Sequence, residues 1–281
     1  DKRVKANLRV APDQLIRVPP LGELAVRKDP ARPPAAAAED ILKDLILHID
    51  DDVIVLDKPP GLAVQGGTGI TRSVDGMLDT LKFDKTDRPR LVHRLDKDTS
   101  GVLVLARSPG VAAKLTRSFR SRDTHKVYWA IVVGVPELSA GRIDMPLAKL
   151  PGKMGERMVP DKVAGKTATT LYRVIEKASR QAAWVHLEPI TGRTHQLRVH
   201  MAETGTPIHG DGKYGGAEAF IPGQGLSRKL HLHARAIRIP HPGKSGNLEV
   251  FAPLPEHMRA TWDFLGFNES SDDDPFSENM E

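Results

Sequence analysis

Short strand-like segments follow one another along most of this chain, and helical segments are interspersed among them without regular alternation. Strands are predicted where apolar residues form compact runs or alternate with polar ones. They fall at Ile46–Asp57 (two runs around an acidic turn), Val102–Ala106, Lys126–Val133, Ala168–Ile175, Ala183–Leu187, Leu230–Ile239 and Leu248–Phe251. Regular strand–helix–strand alternation would indicate a parallel sheet. The observed order favours an α+β domain around a large mixed, mainly antiparallel sheet flanked by helices.

The helices are predicted from apolar spacing and from capping residues. Ser108-Pro109 places a capping serine before a proline at the first helical position, which is typical of a helix start. Further helices are predicted at Ser73–Leu81, Arg193–Glu203 and Glu256–Phe264. The segment Ser139–Pro160 is rich in Gly, Pro and Lys, and we interpret it as loop.

The composition shifts along the chain and divides it into four segments. Residues 1–20 alternate basic and apolar residues, and they resemble the last hairpin of an S4-type RNA-binding domain; a disordered basic arm is the alternative. Residues 21–40 are rich in Pro and Ala and are predicted to form a semi-rigid linker. The main domain is expected at 41–267, and residues 268–281 are interpreted as an acidic, disordered tail.

Charge and cysteine content restrict the class of protein. The net charge is +5, although the last fourteen residues hold six acidic side chains and no Lys or Arg, so the remainder is more basic. Such a body favours a polyanionic partner, RNA or DNA, although a merely soluble basic protein fits equally well. There are no cysteines, which excludes a disulfide framework and thiol catalysis and fits a reducing, cytoplasmic location.

Two further classes of segment are not found in the sequence. No apolar run approaches the roughly 20 residues that cross a bilayer, so we expect no membrane association. The chain starts at Asp1 without a signal-peptide pattern, and we expect residues upstream of it.

A metal site is not predicted, although the chain has 11 histidines. His195 and His200 are five residues apart, a spacing that spreads them around a helix. His231 and His233 can share one strand face, but two ligands do not make a metal site.

The polar turn His93–Gly101 directly precedes the apolar strand Val102–Ala106, and it presents the carboxylate of Asp96. Loops clamped by a strand commonly carry catalytic groups. Arg94 and Lys97 are close in sequence, and the downstream arginines Arg193 and Arg198 are candidates in space. An arginine within about 4–6 Å would keep Asp96 ionised, as a nucleophile or a base. A structural ion pair at a turn explains the same residues.

A family resemblance separates these alternatives. The segment His93-Arg94-Leu95-Asp96, followed by Thr99-Ser100-Gly101, resembles the signature of the RluA family of RNA pseudouridine synthases. Further matches occur in the family's order at Val55–Leu62, Lys126–Gly134, Leu187–His200, Pro207–Gly215 and Leu232–Ala234. An ordered set of this kind is far more specific than a single motif. The resemblance implies the pseudouridine synthase fold for the main domain.

The resemblance also implies roles for individual residues. Asp96 matches the catalytic carboxylate, Tyr128 the tyrosine that stacks on the base and assists in removing the C5 proton, and Arg198 the basic partner of the aspartate. Arg193 is the second candidate for that last role. Arg94 matches the arginine that helps to extrude the target nucleotide. His93, Arg193 and Lys58 are expected to contribute to RNA binding or base flipping, and His93 also to the shape of its loop. Without the resemblance, Tyr128 is equally a core aromatic and Arg198 an exposed helix charge.

The implied reaction detaches uracil from its ribose, rotates it and rejoins it through carbon 5, so no cofactor is expected. RNA is the expected partner, most closely bacterial large-subunit ribosomal RNA as in the RluC/RluD branch, and the protein is expected to be a monomer. A tRNA-modifying enzyme of the same family, a catalytically silent ribosome-assembly factor and a nucleoside hydrolase remain the alternatives.

Overall fold

The computed structural model describes residues 41–67, 69–121, 123–150, 157–222, 225–272 and 274–276. They belong to the second of two units of the chain, which spans Pro33–Glu281. The S4-like hairpin and the linker predicted for residues 1–40 lie outside the described residues.

A ten-stranded sheet forms the centre of this unit. Its first part is an antiparallel hairpin, β1 (Ile46–Ile49) and β2 (Val53–Lys58), and β2 pairs with β4 (Ser100–Ala106), which also carries the two-residue strand β3 (Arg90–Leu91). Along β2, alternate side chains point to opposite faces, so each face of this part is covered by its own apolar cluster. The predicted pair of strands around an acidic turn is therefore confirmed.

The second part of the sheet is a longer antiparallel series. Its strands, in chain order, are β5 (His125–Val133), β6 (Ala140–Asp144), β9 (Thr169–Ala178), β10 (Ala182–Pro189), β11 (Leu232–Pro240) and β12 (Asn247–Phe251). In space the order is β11-β5-β10-β9-β6, and β12 pairs with β11. The predicted fold class, a mixed and mainly antiparallel sheet with flanking helices, is confirmed.

The two parts meet where β4 runs parallel to β11 for two residue pairs, His233 with Ser100 and Ala234 with Gly101. Gly101 has a φ of +104°, and a Cβ there would lie 2.2 Å from the carbonyl oxygen of Ala234. Only glycine permits this backbone conformation together with such a close approach. The junction is also bridged by the buried Ser100 hydroxyl and His233 Nδ1, 2.9 Å apart.

A two-stranded sheet, β7 (Leu147–Leu150) and β8 (Arg157–Pro160), stands beside the main one. Together with β6 it falls in the segment that the sequence predicts as loop, so that prediction is wrong. Glycine and proline in this segment concealed short strands, of which β6 pairs with β9 and β7 pairs with β8.

The helices α1 (Val74–Met77), α2 (Pro109–Arg120), α3 (Gln196–Glu203) and α4 (Glu256–Leu265) flank the main sheet. The Ser108 hydroxyl caps α2 by accepting the Val111 N–H at 3.3 Å, as predicted, an interaction worth about 1 kcal/mol. α3 begins three residues later than predicted. Within the described part of the chain, no helix has the length and apolar character needed to cross a bilayer.

The C-terminal segment folds back onto the sheet. A short 3-10 helix spans Glu269–Asp272, and Asp272 is buried, while Phe276 packs against Phe251 with ring centres 5.8 Å apart. The prediction of a disordered tail from Asn268 is therefore wrong for residues 268–272 and 274–276. The acidic composition concealed an anchoring carboxylate.

Candidate active site

The loop between β3 and β4 carries Asp96. Its neighbour Leu95 is buried in the apolar cluster shared by β2, β4 and α1, which anchors the loop. A turn follows, in which the Thr99 N–H donates to the Asp96 carbonyl at 3.2 Å. The side chain of Asp96 retains 18% of its surface exposed. The carboxylate is therefore held on an anchored turn and still reaches solvent.

Lys58, at the end of β2, holds this loop from inside the protein. Its ammonium donates to the carbonyls of Pro59, Leu62 and Lys97 at 2.9, 2.9 and 3.0 Å. The residue is fully buried, and burial lowers its pKa to about 8 against the opposing effect of three nearby carboxylates. All three N–H donors of an ammonium are thus used on backbone oxygens. The predicted contact of Lys58 with RNA is wrong, and the side chain instead braces the Asp96 loop.

His93 shapes the start of the same loop. Its Nε2 accepts the Val104 N–H at 2.8 Å, and its ring stacks on Phe119 at 4.3 Å. Burial lowers the pKa of His93 to about 3, so the ring is neutral at physiological pH. The imidazole therefore replaces a backbone acceptor beside β4.

Tyr128 projects from the middle of β5 toward Asp96, while the next residue, Trp129, faces the opposite side of the sheet. The backbone of Tyr128 lies between Ala234 of β11 and Leu187 of β10. Burial, reinforced by the negative charge of Asp96, raises the pKa of the Tyr128 hydroxyl above its ordinary value. The hydroxyl is therefore protonated at neutral pH, and the ring is available for stacking.

Arg198 is held on α3 by a bidentate ion pair with Asp211. Its Nε donates to Oδ2 and its Nη2 to Oδ1, both at 2.7 Å, and both side chains are buried. Burial opposes its positive charge, but the hydrogen bond and charge of Asp211, with a contribution from Asp96, raise the pKa of Arg198. The predicted partner of Asp96 therefore binds Asp211 directly and acts on Asp96 through its field.

His195 immediately precedes α3 and lies between Asp96 and Tyr214. Its Nε2 is 3.8 Å from Asp96 Oδ1, and its Nδ1 is 2.6 Å from the Tyr214 hydroxyl. Its backbone is left-handed, with a φ of 52°, which explains why the predicted helix does not begin at Arg193. The sequence pattern gave no indication that this side chain lies beside Asp96.

Two cavities flank Asp96, with volumes of about 530 and about 590 Å³. The first is lined by Tyr128 and by apolar residues such as Leu232, and the second by loop residues around Gly210. Both are in the size range of small-ligand sites. The side chains that line both cavities are Arg94, Asp96, His195 and Arg198.

Cationic side chains surround both cavities. Arg94 is exposed and lines both, and Arg193 lines the first, with its Nε donating to the Thr167 carbonyl at 3.0 Å. The remaining cations are Arg120 and Lys126 in the first cavity and Lys97, Lys213, Arg228 and Lys229 in the second. Cations outnumber the carboxylates of Asp96, Asp98 and Asp211 around these cavities, and such a concave basic surface suits a polyanionic ligand.

One group of potential metal ligands, Asp50, Asp52 and His241, occurs in the described ranges. The Asp50 carboxylate already accepts the N–H groups of Asp52 and Val53 at 2.8 and 2.9 Å, and His241 Nε2 lies 2.8 Å from it. These contacts lower the pKa of Asp50 despite its partial burial. The group is accounted for as a structural clasp between the β1–β2 turn and the β11–β12 turn.

The family model described as RNA pseudouridylate synthase matches residues 52–203, a range that contains Asp96, Tyr128 and Arg198. The chain belongs to this family. The predicted family and the predicted enzyme class, an RNA pseudouridine synthase, are thereby confirmed.

Relatives of this pseudouridine synthase occur in bacteria and eukaryotes. The ribosomal large subunit pseudouridine synthase C of Vibrio vulnificus is 38% identical over 92% of this chain and 80% of its own length. The mitochondrial RNA pseudouridine synthase 4 of Arabidopsis thaliana is also 38% identical, over 79% of this chain and 60% of its own. A solved structure of human RNA pseudouridylate synthase domain containing 4 superposes with a TM-score of 0.69, at 32% identity, over 83% of this chain and 97% of that one.

The pseudouridine synthase site contains three residues whose place in the site sequence reasoning missed, namely Asp211, His195 and Tyr214. All three fall within segments that carry the family resemblance, but nothing in their spacing showed that they converge on Asp96. Asp211 and Tyr214 belong to the Pro207–Gly215 segment, and only the folded chain brings that segment against α3.

Proposed function

We propose that this pseudouridine synthase converts uridine to pseudouridine in large-subunit ribosomal RNA, with Asp96 as the catalytic carboxylate. The observation that carries the proposal is the position of Asp96 at the junction of two basic cavities, within the field of Arg198 and close to Tyr128. The relatives from Vibrio vulnificus and Escherichia coli are named for the ribosomal large subunit, which supports this RNA class.

The chemistry follows from the product. The bond between N1 and C1′ breaks, a bond between C5 and C1′ forms, and the proton on C5 is lost while N1 gains one. Asp96 attacks the nucleotide and holds the sugar while the base turns, as an ionised carboxylate can. Nothing is oxidised and no group is lost, so the isomerisation itself calls for no redox cofactor.

Tyr128 is proposed to stack on the detached uracil in the first cavity. The ring is partly buried and lies between strands, so its orientation is fixed before the base arrives. Because its pKa is raised, the neutral hydroxyl acts on the C5 proton only if its own proton moves on at the same time.

The two cavities provide separate places for the base and for the RNA backbone. A uridine stacked in a helix cannot reach Asp96, so the nucleotide must leave the stack. We propose that the base enters the first cavity beside Tyr128, and that phosphates of flanking nucleotides follow the cations of the second. In this proposal Arg94, which is exposed between the cavities, occupies the vacated stack, and Arg193 contacts phosphate at the edge of the first cavity.

We further propose that the protein acts as a monomer in the cytoplasm. One chain supplies Asp96, Tyr128, Arg198 and both cavities, so a second copy is not needed to complete the site.

Release of tritium from RNA carrying tritium at C5 of uridine tests the proposal. Large-subunit ribosomal RNA from cells lacking this protein is the substrate, and tRNA from the same cells is the control. We expect release from the ribosomal RNA together with a new pseudouridine at a defined position. Release from tRNA alone would place the enzyme on the other substrate, tight binding without release would indicate a silent RNA-binding factor, and free uracil would indicate a hydrolase.

A further inference from the structure

The backbone of His195 adopts a conformation that residues other than glycine rarely adopt. Its φ is 52° and its ψ is 21°, and among the described residues only Phe83 and Ser179 share a positive φ without being glycine. Such conformations persist where the surrounding structure enforces them, and they concentrate at functional sites. His195 lines both cavities beside Asp96.

The tautomer of the neutral His195 ring is assigned from its contact with Tyr214. The Met158 N–H donates to the Tyr214 oxygen at 3.1 Å, and this oxygen is 2.6 Å from His195 Nδ1. With the backbone donor occupying one lone pair, the hydroxyl proton is free to point at the imidazole. The assignment with the hydroxyl as donor to Nδ1 puts the single proton of the neutral ring on Nε2.

The neutral state of the ring follows from the groups that face it. Burial lowers the pKa of His195, the carboxylates of Asp96 and Asp211 oppose this, and the cations Arg198 and Lys213 reinforce it. The ring therefore presents an uncharged Nε2–H donor to Asp96 at neutral pH, across 3.8 Å from Nε2 to Oδ1.

Arg198 does not offer its Nε and Nη2 groups to Asp96, because both donate to Asp211. Within the described part of the chain, the basic side chain that lies within 4.0 Å of the Asp96 carboxylate is His195. The separation of 3.8 Å between His195 Nε2 and Asp96 Oδ1 is longer than a hydrogen bond, so the two groups face each other without being bonded. Catalytic hydrogen bonds are often long before substrate binds and shorten in the complex.

We infer that His195 is a positioning residue, whose Nε2–H, directed by Tyr214, orients the Asp96 carboxylate for attack. The inference rests on the proposed function, since it assigns Asp96 the attacking role. It gives the unusual backbone a purpose: the left-handed conformation is what places the imidazole between Tyr214 and Asp96.

Two substitutions of His195 separate positioning from mere structure. His195→Gln keeps an N–H donor near the place of Nε2. His195→Asn is one methylene shorter, so its amide reaches Tyr214 but not Asp96, and asparagine tolerates a left-handed backbone better than glutamine does. A purely structural role therefore predicts that the Asn variant is the better of the two.

Single-turnover tritium release and RNA binding are measured for both variants. We expect the single-turnover rate constant to fall about 30- to 100-fold for His195→Asn, which loses the oriented donor. For His195→Gln, which keeps a donor, it should stay within about fivefold of the wild-type value. The dissociation constant for RNA should stay within about twofold, and the thermal midpoint of the Asn variant should equal or exceed that of the Gln variant. Equal activities, or a loss confined to binding, would overturn the inference.

Nitrogen-15 NMR of the histidine rings provides a readout that needs no substrate. We expect His195 in the wild type to be protonated at Nε2, and its signal to shift in Asp96→Asn. A ring protonated at Nδ1 would overturn the inference even in an active enzyme. Absence of tritium release by the wild type would refute the proposed function instead, and NMR would still decide how the ring is directed.

Discussion

Two carboxylates in this molecule each lie near a histidine and an arginine, yet they differ in how completely they are bonded. Asp96 has His195 Nε2 at 3.8 Å and the Arg198 guanidinium nearby but committed to Asp211. Asp272 accepts Trp129 Nε1–H at 2.7 Å, contacts His186 Nδ1 at 2.8 Å and binds Arg173. Their side chains are 18% and 1% exposed.

The difference separates the carboxylate proposed for catalysis from one that is used for structure. Asp272 has its oxygens occupied by protein donors, and it ties the C-terminal 3-10 helix to strands β5, β9 and β10. Asp96 is surrounded by positive charge but retains open oxygens at the junction of two cavities. Among the described residues no donor lies within hydrogen-bond distance of its side chain, so its oxygens are open to a ligand.

Asp96→Asn should give the largest effect on activity. Removing the nucleophilic charge should lower tritium release at least about a thousandfold. The thermal midpoint should change little, because the side chain is partly exposed and lacks tight bonds. RNA binding should persist. Asp87→Asn, which removes one exposed charge from the preceding segment, is the matched control and should keep wild-type turnover; near-native turnover of Asp96→Asn would exclude the catalytic assignment.

Asp272→Asn should have the opposite profile. The substitution leaves Arg173 and His186 without their buried negative partner, which should reduce the free energy of unfolding by about 2–4 kcal/mol. Turnover per folded molecule should stay within about twofold. Urea unfolding measures the first and tritium release the second. Asp274→Asn is the control at an exposed position two residues away, and it should shift stability by less than about 0.5 kcal/mol.

The pH dependence of stability should show the smallest effect. Burial raises the pKa of Asp272, but His186, Arg173 and Trp129 outweigh it and lower the pKa below 3.8; this stability is lost as pH falls through the folded-state value. Burial lowers the pKa of His186, but hydrogen bonds to Asp272 and Glu188 outweigh it and raise the pKa above 6.5. The stability that protonated His186 contributes is therefore lost as pH rises through its folded-state pKa.

The difference in unfolding free energy between wild type and Asp272→Asn should therefore be largest between pH 3.8 and 6.5 and decrease on both sides. Urea titrations at five pH values would measure it. A difference that is constant with pH would mean that these ionisations do not contribute.

Local sequence patterns predicted most of the fold, because the formation of strands and capped helices depends largely on residues that are close in sequence. The Ser108 cap, the hairpin around Asp50 and the opposite orientations of Tyr128 and Trp129 all follow from spacing along the chain. The importance of Asp96 came from family resemblance, since a carboxylate on a turn has a structural explanation as well.

The errors share a physical cause, namely contacts between residues distant in sequence. Lys58 reads as an exposed cation until the Lys97 carbonyl, 39 residues away, is found on its ammonium. Asp272 reads as part of an acidic tail until Trp129, 143 residues away, is found bonded to it. His195 lies outside the helix predicted for it, and its ring contacts Tyr214, 19 residues away. The type of a residue indicates whether it tends to be buried or exposed, but it does not show which distant residue will contact it in the folded chain.

The parallel contact at Gly101 has a consequence for the accuracy of the site. Asp96 belongs to the part of the sheet that ends at β4, whereas Tyr128 and Arg198 belong to the part that begins at β11. The relative position of Asp96, the proposed catalytic carboxylate, and Tyr128, the proposed stacking ring, therefore depends on the contact between Gly101 and Ala234, where a hydrogen atom fits and a methyl group does not. The missing side chain of Gly101 therefore has a consequence at a distance: a larger residue there would separate the two parts of the sheet and shift Asp96 relative to Tyr128.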